Sequence, residues 1–551
     1  MHSRPVRQAR RSAPRNPCLT PPRGRRPPLG RPGGRPDMQF SGLDCRFERL
    51  AAPLPMHRAR VDATQWSALA LAVATAKGRL VSLWGSDRRA MGDGFAVGAA
   101  YATAEGLLWA ELGLDVVRPA YPDISRFFVP AVRMQRAAHD LVGIDAEDSG
   151  DSRPWLRHGA WPADYFPLRI ENTGQERFAP QPDNYPFVFV EGDGVHEIAV
   201  GPVHAGTIEP GHFRFSVVGE KVLRLEERFG YTHKGIERRF MGMDIDEGAR
   251  LAGRVSGDST VAYAWAYAMA AESAAGVAVP ERAAWLRALL LERERVANHL
   301  GDLGALGNDA AFGFALAQFS RLREDWLRAN FEAFGHRLLM DCIRPGGVAR
   351  DLDAAAAAQL RRDAVALVAE VAELKDIYDE HAGLQDRFVT TGRVAPELAA
   401  RLGLTGLAGR ASGQVADLRV DFPWPPYDKL AVTASTQFNG DVAARVAVRF
   451  DECFESLRLI DALLAALPDG PLDAPVAIRD AASGAGWIEG WRGEIFVALE
   501  TDARGRIARC HCHDPSWQNW PVIEHASIDN IVADFPLINK SFNLGYSAQD
   551  L

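Results

Sequence analysis

The sequence predicts an α+β multidomain protein: an N-terminal α/β domain, then a large, mainly helical domain with long central helices and peripheral β elements. Three observations lead there. At 551 residues the chain exceeds the usual domain size of roughly 150 residues several-fold. Between residues 66 and 166, apolar, β-like and helical stretches alternate. From residue 247 helical periodicity dominates, and strands return only near residue 500.

Composition narrows the class. Hydrophobic residues make up 47% and charged residues 24%, as in a folded, core-building chain, which excludes a wholly disordered or collagen-like protein. The longest apolar segments, 66–76 and 260–271, stop at Lys77 and Glu272, short of the ~18–20 residues that span a bilayer. Residues 1–37 carry ten Arg and one acidic residue, a balance of +9; with a total of −8, the remainder carries −17. So acidic a body argues against a nucleic-acid surface. Six cysteines (18, 45, 342, 453, 510 and 512) are too sparse for a disulfide framework and predict a reducing compartment.

Taken in order, residues 1–37 read as a disordered basic tail, or as a misassigned start with Met38 as the first residue. Arg10-Arg11 is followed by no apolar run, so it is not read as a twin-arginine export signal. Residues 38–168 form the α/β domain, with an apolar segment at 66–76, a β-like run at 80–84, a helix at 102–112 and turn-rich exits at 148–151 and 162–167. A linker at 169–185 precedes the large domain, 186–551. There the pattern predicts strands at 187–191 and 196–200, a hairpin over 211–227, and helices over 247–333 broken by Gly276 and Pro280. Further helices follow at 352–380 and 441–467, with strands at 493–500 and 506–511. There is no internal repeat. No glycine-rich fingerprint follows a strand, so a dinucleotide-binding site finds no support.

Gly201-Pro202-x-His204, followed by Ile208-Glu209-Pro210-Gly211-His212-Phe213-Arg214, packs Gly, Pro, His and Glu into one connection before a strand, as a site loop requires. With Tyr231-x-His233-Lys234-Gly235-Ile236-Glu237, it resembles the start of the large subunit shared by group 4 membrane-bound [NiFe] hydrogenases and respiratory complex I. The resemblance continues through residues 254–272, Glu292-x-x-Arg295, Asn298-His299, Ile343-Arg344-Pro345-Gly346-Gly347-Val348, Arg410-Ala411-Ser412-Gly413, Gly440-Asp441 and Arg445. It takes in Gly490-Trp491-Arg492-Gly493-Glu494 and ends on the hydrogenase-like Asp534-Phe535-Pro536-Leu537-Ile538-Asn539-Lys540-Ser541-Phe542-Asn543-Leu544. The preceding module, with His139-Asp140-Leu141-x-Gly143-Ile144, resembles the small α/β subunit of complex I. In formate hydrogenlyase-type proteins the two are fused, as here.

The resemblance also exposes a departure. Its hydrogenases hold nickel and iron with two Cys-x-x-Cys pairs; the matching positions here are Ser256, Ser259, Ser516 and Asn519. Neutral hydroxyls and an amide cannot replace bridging thiolates, so nickel is not expected and the chain binds no metal of its own. Cys510-His511-Cys512-His513 is no substitute, because strand alternation sends its cysteines and histidines to opposite faces.

The resemblance implies a peripheral oxidoreductase subunit at the inner face of the cytoplasmic membrane. Its expected partners are an iron–sulfur small subunit bearing a four-iron cluster, a ferredoxin-like subunit and antiporter-like membrane subunits. Glu209 matches a proton relay, and His212 and His204 match quinone-loop histidines. The alignment there needs a two-residue insertion, and the quinone-binding tyrosine position falls on Gly257. Asp258, unusual in its setting, could pair with Arg254 or Arg410, relay protons or serve with Ser256 and Ser259 as a helix cap. His233 and Arg254 are candidates for contact with a quinone or a partner's cluster. The sequence thus offers a proton- or quinone-linked coupling subunit, a structural scaffold, or a hydrogenase with unrecognised ligands.

Overall fold

The computed structural model describes residues 45–203 and 209–551. His204 and the basic segment 1–37 therefore lie outside the described residues.

The N-terminal part is built on a five-stranded sheet. Its strands are β1 (Met56–Val61), β2 (Arg79–Asp87), β3 (Phe95–Thr103) and β4 (Gly106–Leu114), in the order Glu48–Arg49, β1, β4, β3, β2, with β1 and β4 parallel. Helix α1 (Ala63–Thr75) starts at a capping box in which the Asp62 carboxylate accepts from Gln65 N and the Gln65 side chain from Asp62 N. Helix α2 (Ala131–Val142) packs against β2.

Here the structure corrects the helix expected at 102–112, which is the end of β3 and most of β4. Both strands are buried on both faces, so the run lacks the alternation that marks a half-exposed strand. The expected strand at 187–191 is also irregular; the hairpin beyond it is as read, with β5 (Val195–Val200), β6 (His212–Val218) and β7 (Lys221–Arg228) forming one antiparallel sheet.

The helical core comprises α3 (Thr260–Ala275), α4 (Glu281–Asp309), α5 (Gly313–Phe334), α6 (Ala354–Glu380) and α8 (Val442–Ala465), with the short α7 (Gly406–Ala411) beside α8. Gly276 ends α3 in the left-handed region and α4 begins after Pro280, where the sequence pattern broke. Asp353 and Asp441 cap α6 and α8, accepting from Ala356 N and Ala444 N at 2.8 Å.

A further three-stranded sheet, β8 (Ser483–Glu489), β9 (Glu494–Thr501) and β10 (Ile507–His513), packs on α3. The approach of β8 to α3 is close enough to need glycine: a Cβ on Gly486 would sit 1.8 Å from Ala266 O. The same sheet carries the N-terminal part. Arg88 pairs with Glu500 at 2.7 Å, Arg79 with Glu494, Arg509 Nε donates to Gly85 O, and His511 Nε2 lies 2.7 Å from Ser82 Oγ. The described residues consequently form one compact unit.

Gly486→Val should lower unfolding stability by about 3 kcal/mol or more, because backbone rather than a flexible side chain stands in the way. Denaturant unfolding with an unchanged midpoint would show that the helix–sheet contact yields.

Candidate functional site

The turn entering α3 is fixed from three sides. Trp491 Nε1 and Asn298 Nδ2 donate to Asp258 O at 2.9 and 2.7 Å, and the carboxylate accepts from Ser256 Oγ at 2.6 Å. Both terminal nitrogens of Arg492 donate to the same carboxylate, one at 2.9 Å, while Nη1 stands 3.3 Å from Ser259 Oγ. The guanidinium lies over the Trp491 ring at 4.0 Å and its Nε donates to Asn543 O. Gly406 makes room for this hairpin, since a Cβ there would stand 1.7 Å from Arg492 O.

Burial would raise the Asp258 carboxyl, but the Arg492 charge and the serine hydroxyls overcome it and hold it at about 2. Arg492 is buried, Asp258 half-buried and Gly257 exposed, so the ion pair borders the surface.

The second expected segment closes on the same place. Asp514 accepts from Ser516 N at 2.8 Å and from Tyr263 OH at 3.2 Å, and burial raises it against the pull of Arg492. Ser516 Oγ accepts from Gly545 N, and the Asn519 amide bonds both the N–H and the C=O of Thr405, just before α7. Beneath the turn, Glu294 accepts from Val261 N and Ala262 N at the start of α3; burial pushes its carboxyl up to about 8.

The positions that resemblance equates with metal thiolates are thus spoken for: Ser256 and Ser259 by Asp258, Ser516 by Gly545 and Asn519 by Thr405. Three hydroxyls and an amide, all neutral, do not fit a nickel–iron pair. The paired cysteines and histidines of β10 diverge as alternation requires. Cys510 and Cys512 enter the core, His511 meets Glu237 and Ser82, and His513 meets Gln518.

Other expected residues are distributed around this centre. Glu209 accepts from Ser547 N and Oγ at 3.0 Å, two residues beyond the Gly545 that holds Ser516. His233 is half-buried, its Nδ1 2.8 Å from Asp550 O. His212, its pKa lowered by burial, lines a separate open groove with Tyr185, Phe187, Arg214 and Tyr231. Neither arginine expected to meet Asp258 does so. Arg254 forms a bidentate pair with Asp341 near the surface, and Arg410 points into a buried cluster with Glu452 and Glu489. Spacing in sequence does not reveal these partners, which come from segments far along the chain. Arg492 and Glu294 are the residues that sequence reading missed; Arg492 stood within a matched motif without an assigned role.

This architecture has relatives. The pattern of the family described as "Respiratory-chain NADH dehydrogenase, 49 Kd subunit" matches residues 309–482, and that of the "30 Kd subunit" matches residues 59–177. Formate hydrogenlyase subunit 5 of Escherichia coli is 32% identical over 485 residues, covering 86% of this chain and 85% of its own. The chain belongs to this family of oxidoreductase subunits.

Hydrogenase-4 component G of Escherichia coli is 30% identical across 86% of this chain and 84% of its own. The C/D subunit of NADH-quinone oxidoreductase from Bacteroides thetaiotaomicron is 28% identical across 72% and 79%. Among solved structures, a chain of the membrane-bound sulfane sulfur reductase, an archaeal respiratory membrane complex, shares the fold with a TM-score of 0.62 and 24% identity. That match covers 66% of this chain and 100% of the other. Membership in the complex I superfamily and the fusion of its 30 kDa- and 49 kDa-type parts accord with the sequence reading.

Because the folded Asp258 carboxyl sits near 2 and its ordinary value is 3.8, the pair stabilises the fold above about pH 4 and ceases to do so as pH falls through about 2. Arg492→Met should shift acid unfolding, followed by circular dichroism, to higher pH. An unmoved midpoint would mean the pair contributes nothing.

Proposed function

We propose that this chain is the coupling subunit of a membrane-associated, complex I-like redox complex in which an ion pair has taken the place of the nickel–iron centre. The observation that carries the reading is the Arg492–Asp258 pair, seated among the hydroxyls and amide that stand where its hydrogenase relatives would hold thiolates. Electrons would reach it from a four-iron cluster in a docked small subunit, supplied through a ferredoxin-like subunit. Antiporter-like membrane subunits would use the redox change to move ions. The inner face of the cytoplasmic membrane is the corresponding location; among the described residues no helix is long and apolar enough to cross a bilayer, so attachment would run through partners.

The chain's own residues can do two things at such a junction. Arg492 keeps a positive charge close to the surface, where an arriving electron would be stabilised and the potential of a neighbouring cluster raised. Glu294, raised by burial to about 8, can hold a proton close to that charge and exchange it as the charge changes. The groove around His212, with aromatic walls and a neutral imidazole, is the place a quinone headgroup would fit.

A scaffold reading is favoured by one feature: the Asp258 carboxylate is fully satisfied by Arg492 and serine. The two readings separate in the assembled complex. Asp258→Asn should preserve assembly yet lower turnover on the order of tenfold or more, while no hydrogen-dependent dye reduction is seen with either form. Unchanged turnover would favour the scaffold, and hydrogen-dependent reduction would restore the hydrogenase reading.

A further inference from the structure

Beneath Trp491 lies a second charged assembly that the proposed coupling role does not use. Helix α4 presents Glu292, Arg295 and His299 on one face, spaced i, i+3, i+7. The Glu452 carboxylate of α8 accepts from Arg410 Nε at 2.8 Å and lies 3.0 Å from His299 Nε2. Arg419 bridges Asp417 and Glu292, the latter also accepting from Tyr427 and Ser456. Arg410 reaches Glu489, at the end of β8, at 2.9 Å. Every one of these charged side chains is buried.

The assembly contains four carboxylates (Glu292, Asp417, Glu452, Glu489) and three guanidiniums (Arg295, Arg410, Arg419). The neighbouring Arg79–Glu494 pair is balanced in itself. A net negative charge sealed from water is strongly disfavoured, so the cluster needs one proton.

Geometry indicates where the proton sits. Glu292 has two arginines and two hydroxyls, Asp417 a bidentate arginine, and Glu452 an arginine and a histidine. Glu489 has one arginine contact and a backbone N–H, from Leu418 at 3.2 Å. His299 is the poorer seat, because its Nδ1 is buried without a partner and an imidazolium would strand an N–H there.

We propose that this cluster is a one-proton loading site, with the exchangeable proton seated on Glu489. The groups around that carboxyl are Arg410, Asp417, Arg419, Arg295, Glu452 and Asp421, with Glu494 opposite it in the sheet register and Arg79 on Glu494. Burial first, then Asp417, push it up to about 7 against the pull of Arg410 and Arg295. Since Arg492 lies three residues along the same hairpin, the proton would respond to charge at the surface pair. The uptake itself belongs to the folded chain and stands independently of the function proposed for the Arg492–Asp258 centre.

A carboxyl raised from 4.5 to about 7 makes the folded state bind more protons than the unfolded one. Stability from this group is therefore greatest at low pH and falls as pH rises toward about 7. The test is equilibrium unfolding of the full chain from about pH 5 to about pH 8, comparing wild type with Glu489→Gln, which cannot ionise. The ratio of their unfolding constants should rise on the order of 100-fold across that range. Asp417→Asn, which balances the cluster by removing a different acid, should abolish the same pH dependence and serves if the first variant does not fold. Glu452→Gln, which likewise removes one acid but strips Arg410 and His299 of their shared carboxylate, should flatten the slope and lower stability across the range. A pH-independent effect of Glu489→Gln, or an undiminished slope in Asp417→Asn, would overturn the proposal.

Discussion

The pairing of Arg492 with Asp258 is the constraint on which the centre of this molecule depends. Arg492 comes from the hairpin between β8 and β9, Asp258 from the turn that opens α3, and the same guanidinium holds the segment after Phe542 through Asn543 O. From there the chain reaches Ser516 through Gly545 and Glu209 through Ser547. One buried cation therefore ties together segments far apart in sequence. Its value lies less in net stability than in registry, because removing either partner leaves the other inadequately compensated.

That arrangement answers a chemical question posed by kinship. The relatives include subunits of formate hydrogenlyase, hydrogenase-4 and NADH-quinone oxidoreductase. A fold that serves such different redox chemistry keeps its scaffold and changes its centre. Here Ser256, Ser516 and Asn519 are occupied by hydrogen bonds to Asp258, Gly545 and Thr405, and neutral hydroxyls and an amide are poor partners for soft metals. Charge deeper in the helical domain is likewise arranged around carboxyls, with Glu294 and Glu489 both raised by burial.

Much of the fold is legible in the sequence. The breaks at Gly276 and Pro280, the long α6 and α8, and the β6–β7 hairpin follow from periodicity and from capping residues whose physics is local. The failures have local causes too. β3 and β4 are buried on both faces and read as a helix, while β8, with Gly484 and Gly486 pressed against α3, has too few side chains to announce a strand. Motifs point to candidate residues but not to their partners. Arg254 and Arg410 looked equally suited to Asp258, and only the fold sends one to Asp341, the other to Glu452, and Arg492 to Asp258 itself.

The central claim is that an ion-paired centre operates inside a membrane-associated redox complex. The most direct measurement is affinity purification of the tagged chain from gently solubilised native membranes, with mass spectrometry and metal analysis of what accompanies it. The account predicts recovery with a cluster-bearing small subunit and antiporter-like membrane subunits, iron in the preparation and no stoichiometric nickel. Recovery of the chain alone, or of a complex with one nickel per chain, would contradict it.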